Sequence, residues 1–262
     1  MKPSIIFIHG MFLNPKSWRD WRQYFEAQGY RTSAPAWPLH DGDPFDLRNN
    51  IPMDLGKLTL EEVVQEFANI AARESERPIL IGHSLGGLIV QRLVDQDLAC
   101  AGVCISSVAP NGMMSADWHL LKNTMSITNP LKGDRPYIMT EEGFYQNFGN
   151  SMSREESNLA YTEFAVHESR NVLRDTLGKA GRIDVSLPHV PLLFIAGDQD
   201  HIIPDKLNKK NAEAYTDTNS IVEFKLFSGR SHFIYDEENW QEIANYTNDW
   251  LSRVVAPKSA SI

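Results

Sequence analysis

The run Ile5-Ile6-Phe7-Ile8-His9 has no polar alternation, the pattern of a strand buried on both faces of a parallel sheet. Comparable β-rich runs recur at Tyr30–Ala36, Pro78–Gly82, Ala101–Val108, Val190–Gly197 and Ser220–Phe227. Helical spacing fills the stretches between them. Asn14 is placed to cap a helix with Pro15 at its first position and Gly29 just past its end. Thr59-Leu60-Glu61-Glu62 is a capping box, and Val63, Val64, Phe67, Ile70 and Ala71 follow at helical spacing. Leu85 to Val94 reads as another helix, and Asp236 to Val254 as a closing amphipathic one.

Two stretches break this alternation. Trp37 to Leu58 is rich in Pro, Gly, Asp and Asn and reads as a loop of about 20 residues, a length more often functional than accidental. From Pro110 to Pro188 the β signal gives way to helical patterns rich in Met and aromatic residues. An insertion between two strands of a parallel sheet emerges at one sheet end and can cover a site there. The expected division is a core of residues 1–109 and 189–256, a helical cap at 110–188 and a flexible tail at 257–262. The core is expected to be α/β, a doubly wound, mostly parallel sheet of about six strands with right-handed crossovers. In such sheets ligands bind beyond the carboxyl ends of the strands, so chemical residues should fall just after strands.

A length of 262 residues suits a single α/β domain with an insertion, and 42% hydrophobic with 23% charged residues suits a soluble chain with a sizeable core. The formal charge of -9 lacks the basic stripe that phosphate backbones demand, which argues against nucleic-acid partners. Cys100 and Cys104 fall in one predicted strand, where roughly 13 Å would separate them, too far for a disulfide. They read as core residues of a chain from a reducing compartment. The N-terminus shows no signal peptide, and no apolar run reaches membrane-spanning length, so a cytoplasmic location without membrane partners is expected.

Gly82-His83-Ser84-Leu85-Gly86 matches G-x-S-x-G between a predicted strand and a predicted helix. A serine hydroxyl is a poor nucleophile until a base removes its proton. Flanking glycines permit the tight turn that lifts it above the sheet, and the turn leaves the Leu85 N–H at a helix N-terminus, where donors lack partners. Only His201 and His232 follow a later strand in the order Ser, Asp, His. His232, directly after the last strand, is the better base, because His201 adjoins the candidate acids. Asp198 and Asp200 both follow the fifth strand, and position alone does not separate them. The loop His9-Gly10-Met11-Phe12 is placed to supply a second oxyanion donor, the Met11 N–H. His9 reads as a loop anchor and His83 as a packed elbow residue. His40, Asp41 and Asp43 read as a solvated polar loop, without zinc spacing. No phosphate- or dinucleotide-binding motif appears, so no cofactor and no metal are expected.

Together, His9-Gly10, Gly82 to Gly87, Gly197-x-x-Asp200 and Ser231-His232-Phe233 resemble the α/β-hydrolase superfamily across essentially the whole chain. That resemblance implies the catalytic triad Ser84, Asp200 and His232, because the family's G-x-x-D pattern carries the acid on its last residue. The start at the strand before the oxyanion loop, without two leading strands, is similar to the branch of plant methylesterases, hydroxynitrile lyases and small bacterial esterases. Hydroxynitrile lyases of this branch carry lysine after the catalytic histidine, where this chain has Phe233. The serine likewise departs from epoxide hydrolases and haloalkane dehalogenases, which use aspartate at the elbow.

The expected activity is that of a serine hydrolase acting on a small-molecule, apolar carboxylic ester, with Met11 and Leu85 forming the oxyanion hole. Phe12, Met113, Trp118 and Phe144 are the candidate pocket residues in a segment that also holds Met114, Met125, Met139, Met152, Tyr137, Tyr145 and Phe148. The rival readings are another triad enzyme (carbon-carbon hydrolase, lactonase, thioesterase or perhydrolase) and a slow-turnover binding or signalling protein. Oligomeric state is not legible in the sequence.

Overall fold

The structure, a computed structural model, describes residues 2–113 and 129–255. One sheet holds β1 (Ile5–Ile8), β2 (Thr32–Ser33), β3 (Ile79–His83), β4 (Ala101–Ile105), β5 (Leu192–Gly197) and β6 (Val222–Phe227). Every neighbouring pair is parallel, in the order β2-β1-β3-β4-β5-β6. β1, β3, β4 and β5 are buried along their whole length, which is why each reads as an uninterrupted apolar run. β6, at the edge, is largely half-buried.

The helices among the described residues are α1 (Arg19–Ala27), α2 (Pro44–Asn49), α3 (Leu60–Ala72), α4 (Leu85–Asp95), α5 (Glu141–Asn147), α6 (Arg154–Phe164), α7 (Arg170–Asp175), α8 (Asp205–Glu213) and α9 (Gln241–Val254). The capping box at α3 forms, with Thr59 and Glu62 bonding each other's backbone N–H. Asn14 caps as expected, but a 3-10 turn over Pro15–Trp18 precedes α1. α1 buries Trp21 and Phe25 against Phe7 of β1. A buried phenylalanine of this kind contributes about 2 kcal/mol. Helices α5 to α7 lie between β4 and β5, as the helical pattern there implied.

Several boundaries differ from the expected ones. Residues 30–36 supply only the two-residue β2, because only Ile5 and Ile6 of β1 pair with it. β4 stops at Ile105, since Ser106 turns into the left-handed region at φ 45. The stretch from Trp37 to Leu58 is not structureless: Asp43 caps α2, and a 3-10 turn covers Leu55–Lys57. α8 was not anticipated, and α9 starts at Gln241 rather than Asp236. The tail at 257–262 lies outside the described residues. Cys104 is buried in β4 and Cys100 half-buried just before it, both as free thiols. Among the described residues no helix is long and apolar enough to cross a membrane.

The strand order positions the site. From β1 the chain goes first to β2 on one side and then to β3 on the other, so β1 and β3 flank the point where the winding reverses. A crevice opens there beyond the carboxyl ends. The gap is closed from beneath by backbone alone. A Cβ on Gly86, in the first turn of α4, would stand 2.2 Å from the Ile8 carbonyl oxygen. Gly86→Ala should therefore destabilise the fold by about 3 kcal/mol, measured as a fall in Tm of about 10 °C. An unchanged Tm would show that α4 can back away from β1.

Candidate active site

Ser84 occupies the turn from β3 into α4 with φ 56 and ψ -118, a conformation that non-glycine residues rarely adopt. Such a conformation persists only where the surroundings over-determine it. Ser84 N–H donates to Ile105 O at 2.9 Å, and Ser84 O accepts from Gly87 N–H at 3.0 Å and Val108 N–H at 3.1 Å. The turn is thus bonded to the end of β4 and to α4. The serine is 7% exposed at the carboxyl end of the sheet. Gly10 lies directly against it: a Cβ there would be 2.9 Å from Ser84 Cβ. The loop after β1 therefore runs over Ser84 with its backbone close in. Among the described residues, no hydrogen bond uses Met11 N–H or Leu85 N–H. Leu85 follows Ser84 directly, and Met11 follows Gly10, whose backbone lies against Ser84.

The ends of β5 and β6 are adjacent, with Gly197 paired to Phe227, so the loops after them meet. His232 Nδ1 donates to Asp200 Oδ2 at 2.7 Å, and both side chains are fully buried. Asp200 Oδ1 accepts from Ile202 and Ile203 N–H, both at 2.8 Å, which fixes the carboxylate. Asp198 instead accepts from Ser228 Oγ–H and Gly229 N–H, both at 2.7 Å, and these bonds hold its pKa below the usual carboxylate range. It closes the turn after β6. The two aspartates that position could not separate are separated by what each one touches. His201 is exposed, with Nδ1 2.9 Å from Gln146 O.

With Nδ1–H committed to Asp200, the neutral His232 ring keeps its lone pair on Nε2. That atom is buried and has no partner among the described residues. A Ser84–His232 hydrogen bond is likewise absent among them; such bonds are often formed only once substrate is bound. The loop carrying His232 is held on both sides. Ser231 N–H donates to Glu237 Oε1 at 2.9 Å, Ser231 Oγ bonds both Glu237 and Phe148 O, and Phe233 N–H donates to Phe148 O at 2.9 Å.

His83 is the packed elbow residue that was expected. Its Nε2–H donates to His232 O at 2.8 Å, and the two rings are 4.7 Å apart. Burial, then the neighbouring His232, push its pKa well below the usual histidine value, so it stays neutral. His9 anchors its loop as expected: Nδ1–H donates to Gly10 O at 3.0 Å, and Nε2 accepts from Trp37 N–H at 3.3 Å. Burial and then His40 lower its pKa to about 3. His40 does not belong to a solvated loop. It is 1% exposed and paired with Glu168 from the β4–β5 segment, a contact invisible in sequence because 128 residues separate the partners. Asp41 is exposed and Asp43 caps α2. Among the described residues no three His, Cys, Asp or Glu side chains are placed to hold a metal.

Of the expected pocket residues, Phe12 is buried with its ring edge-on to Tyr137 at 5.7 Å. Phe144 is fully buried, stacked on Phe148 at 5.0 Å and against Phe233 at 5.6 Å. Met113 is partly buried against the core. Trp118, Met114 and Met125 lie outside the described residues. Phe148 stands nearer the chemistry than Phe144, edge-on to His232 at 4.9 Å. Its aromatic character was visible in sequence, but its place beside His232 was not.

The alpha/beta hydrolase family model matches residues 5–246. The chain belongs to the α/β-hydrolase family. This α/β-hydrolase is 21% identical to a putative esterase/lipase of Mycoplasma genitalium, over 90% of the chain and 83% of the relative. It is 24% identical to a non-heme chloroperoxidase of Kitasatospora aureofaciens, over 88% and 85%. Its fold is similar to that of a methylesterase from Arabidopsis, with a TM-score of 0.67 at 13% identity over 96% and 99% of the two chains.

Asp200→Asn should reduce turnover about 10⁴-fold, because an amide in its place no longer selects the imidazole tautomer with a bare Nε2. Asp198→Asn should change turnover less than about tenfold, since its carboxylate bonds Ser228, Gly229 and Gln199 and not His232. Ester assays on both variants decide between them; the reverse order would make Asp198 the acid.

Proposed function

We propose that this α/β-hydrolase is a serine esterase that cleaves small to medium apolar carboxylic esters through an acyl-enzyme on Ser84. The observation that carries the reading is the Asp200–His232 hydrogen bond, which leaves Nε2 bare on a buried ring packed against the residue preceding Ser84. His232 Nε2 takes the Ser84 Oγ proton as the oxygen attacks the ester carbonyl. The negative charge gathers on the carbonyl oxygen, facing the Met11 and Leu85 N–H groups. Each such donor contributes about 3 kcal/mol to the transition state. The imidazolium, stabilised by Asp200, then passes its proton to the leaving alcohol. Water, deprotonated by the same Nε2, attacks the acyl-enzyme and regenerates Ser84.

Phe144, Phe148, Phe164 and Phe233 form connected ring contacts beside His232, which favours an apolar group on the substrate over a charged one. In this reading α5 to α7 serve as the cap. Phe233 also supplies no cation next to the base. The relative described as a chloroperoxidase favours one second reading, in which hydrogen peroxide rather than water takes the acyl group from Ser84 and leaves a peracid.

Wild-type chain should hydrolyse p-nitrophenyl acetate and butyrate, and a fluorophosphonate probe should label it at Ser84. Ser84→Ala should lose at least about 10⁴-fold in kcat and all labelling. Equal activity in the variant would sink the nucleophile assignment. Peroxide that diverts product from acid to peracid would favour the second reading.

A further inference from the structure

A buried ion pair outside the triad joins the loop region after β2 to the β4–β5 segment. His40 Nε2 lies 3.1 Å from Glu168 Oε2, and Nδ1 lies 3.0 Å from Pro38 O. A carbonyl oxygen only accepts, so Nδ1 carries a proton. Glu168 Oε1 accepts from Ser169 N–H at 2.8 Å and Oε2 faces Nε2, an arrangement that a second proton on Nε2 completes. The ring is then an imidazolium. Burial opposes that charge, but Glu168, helped by the Pro38 and His167 carbonyls, outweighs it and raises the His40 pKa.

The pair sits where residues 165–169 cross the oxyanion loop. Val166 N–H donates to Phe12 O at 2.9 Å, one residue after Met11. Glu168 exchanges two backbone hydrogen bonds with Tyr137, whose ring meets Phe12. On the other side, the His40 ring is 5.8 Å from His9, which holds Gly10 O. The charged and titratable groups around His40 are therefore Glu168, the neutral His9, and His167, which burial and Arg48 keep low. Arg48 itself binds Thr162 O in the last turn of α6 and Ala165 O just after it.

We propose that His40 and Glu168 are positioning residues whose buried ion pair latches residues 165–169 onto the loop carrying Met11, and so fixes the oxyanion donor over Ser84. The positioning role rests on Ser84 being the nucleophile. Because the folded-state pKa of His40 is raised, the latch is complete below the ordinary histidine range. It is lost as pH rises through the raised value.

Glu168→Gln keeps the shape of the pair and removes its charge, since the amide can donate to a bare Nε2. Long-range ¹⁵N–¹H spectra of wild type at about pH 7 should show both His40 nitrogens protonated, and those of the variant only one. Val166 amide exchange should be at least about tenfold faster in the variant. With p-nitrophenyl butyrate, kcat should fall about tenfold with KM within about twofold, as expected of a donor used only in the transition state. That gap should close as pH rises through the His40 transition seen by NMR. A singly protonated His40 in wild type would overturn the latch, and so would a variant with wild-type Val166 exchange and kcat at every pH. A wild-type chain that cleaved no ester would instead sink the reading of Ser84, while the spectra and amide exchange still decided the latch.

Discussion

The carbonyl of Ile8 at the end of β1 lies where a side chain on Gly86 would stand, so β1, β3 and α4 meet through backbone alone. Beside that close approach stand the left-handed turn at Ser84 and the Gly10 backbone lying against it. A switch in winding direction opens a crevice in any sheet of this type. Here the loop after β1 and the first turn of α4 come close to Ser84 and β1 because Gly10 and Gly86 carry no Cβ.

Four buried histidines surround this crevice, and their surroundings divide them into separate roles. His9 and His83 each donate to one carbonyl and are kept neutral by burial. His40 faces two acceptors, and Glu168 raises its pKa against the effect of burial. His232 gives one nitrogen to Asp200 and keeps the other bare. The residue type is the same in all four; the hydrogen-bond partner decides what each ring can do. Burial, then His40, lowers the His9 pKa, and His9 accepts from Trp37 N–H while it donates to Gly10 O in the loop after β1.

His232 follows β6, three strands along the sheet from β3 and Ser84, and that distance has to be bridged by a loop rather than by the sheet. Glu237 and the Phe148 carbonyl hold this loop from opposite sides through Ser231 and Phe233. Residues of the β4–β5 segment thus take part in holding the His232 loop, just as Val166 N–H binds the loop after β1 at Phe12 O. The segment is tied to the loops on both sides of Ser84.

The sequence by itself determined the parallel α/β core, the capping of α3, the elbow at Ser84 and His232 as the histidine after the last strand. These are local properties: unbroken apolar runs, capping boxes and glycines at a tight turn all act over a few residues. Only the tertiary structure, through direct contact, separated Asp200 from Asp198, a choice that family resemblance had made and position had not. It also made His40 a buried partner of Glu168 instead of a loop residue, and set Phe148 beside the base. Those outcomes depend on contacts between residues far apart in the chain. A side chain's charge state and role are set by the atoms facing it, and the order of residues does not say which atoms those will be.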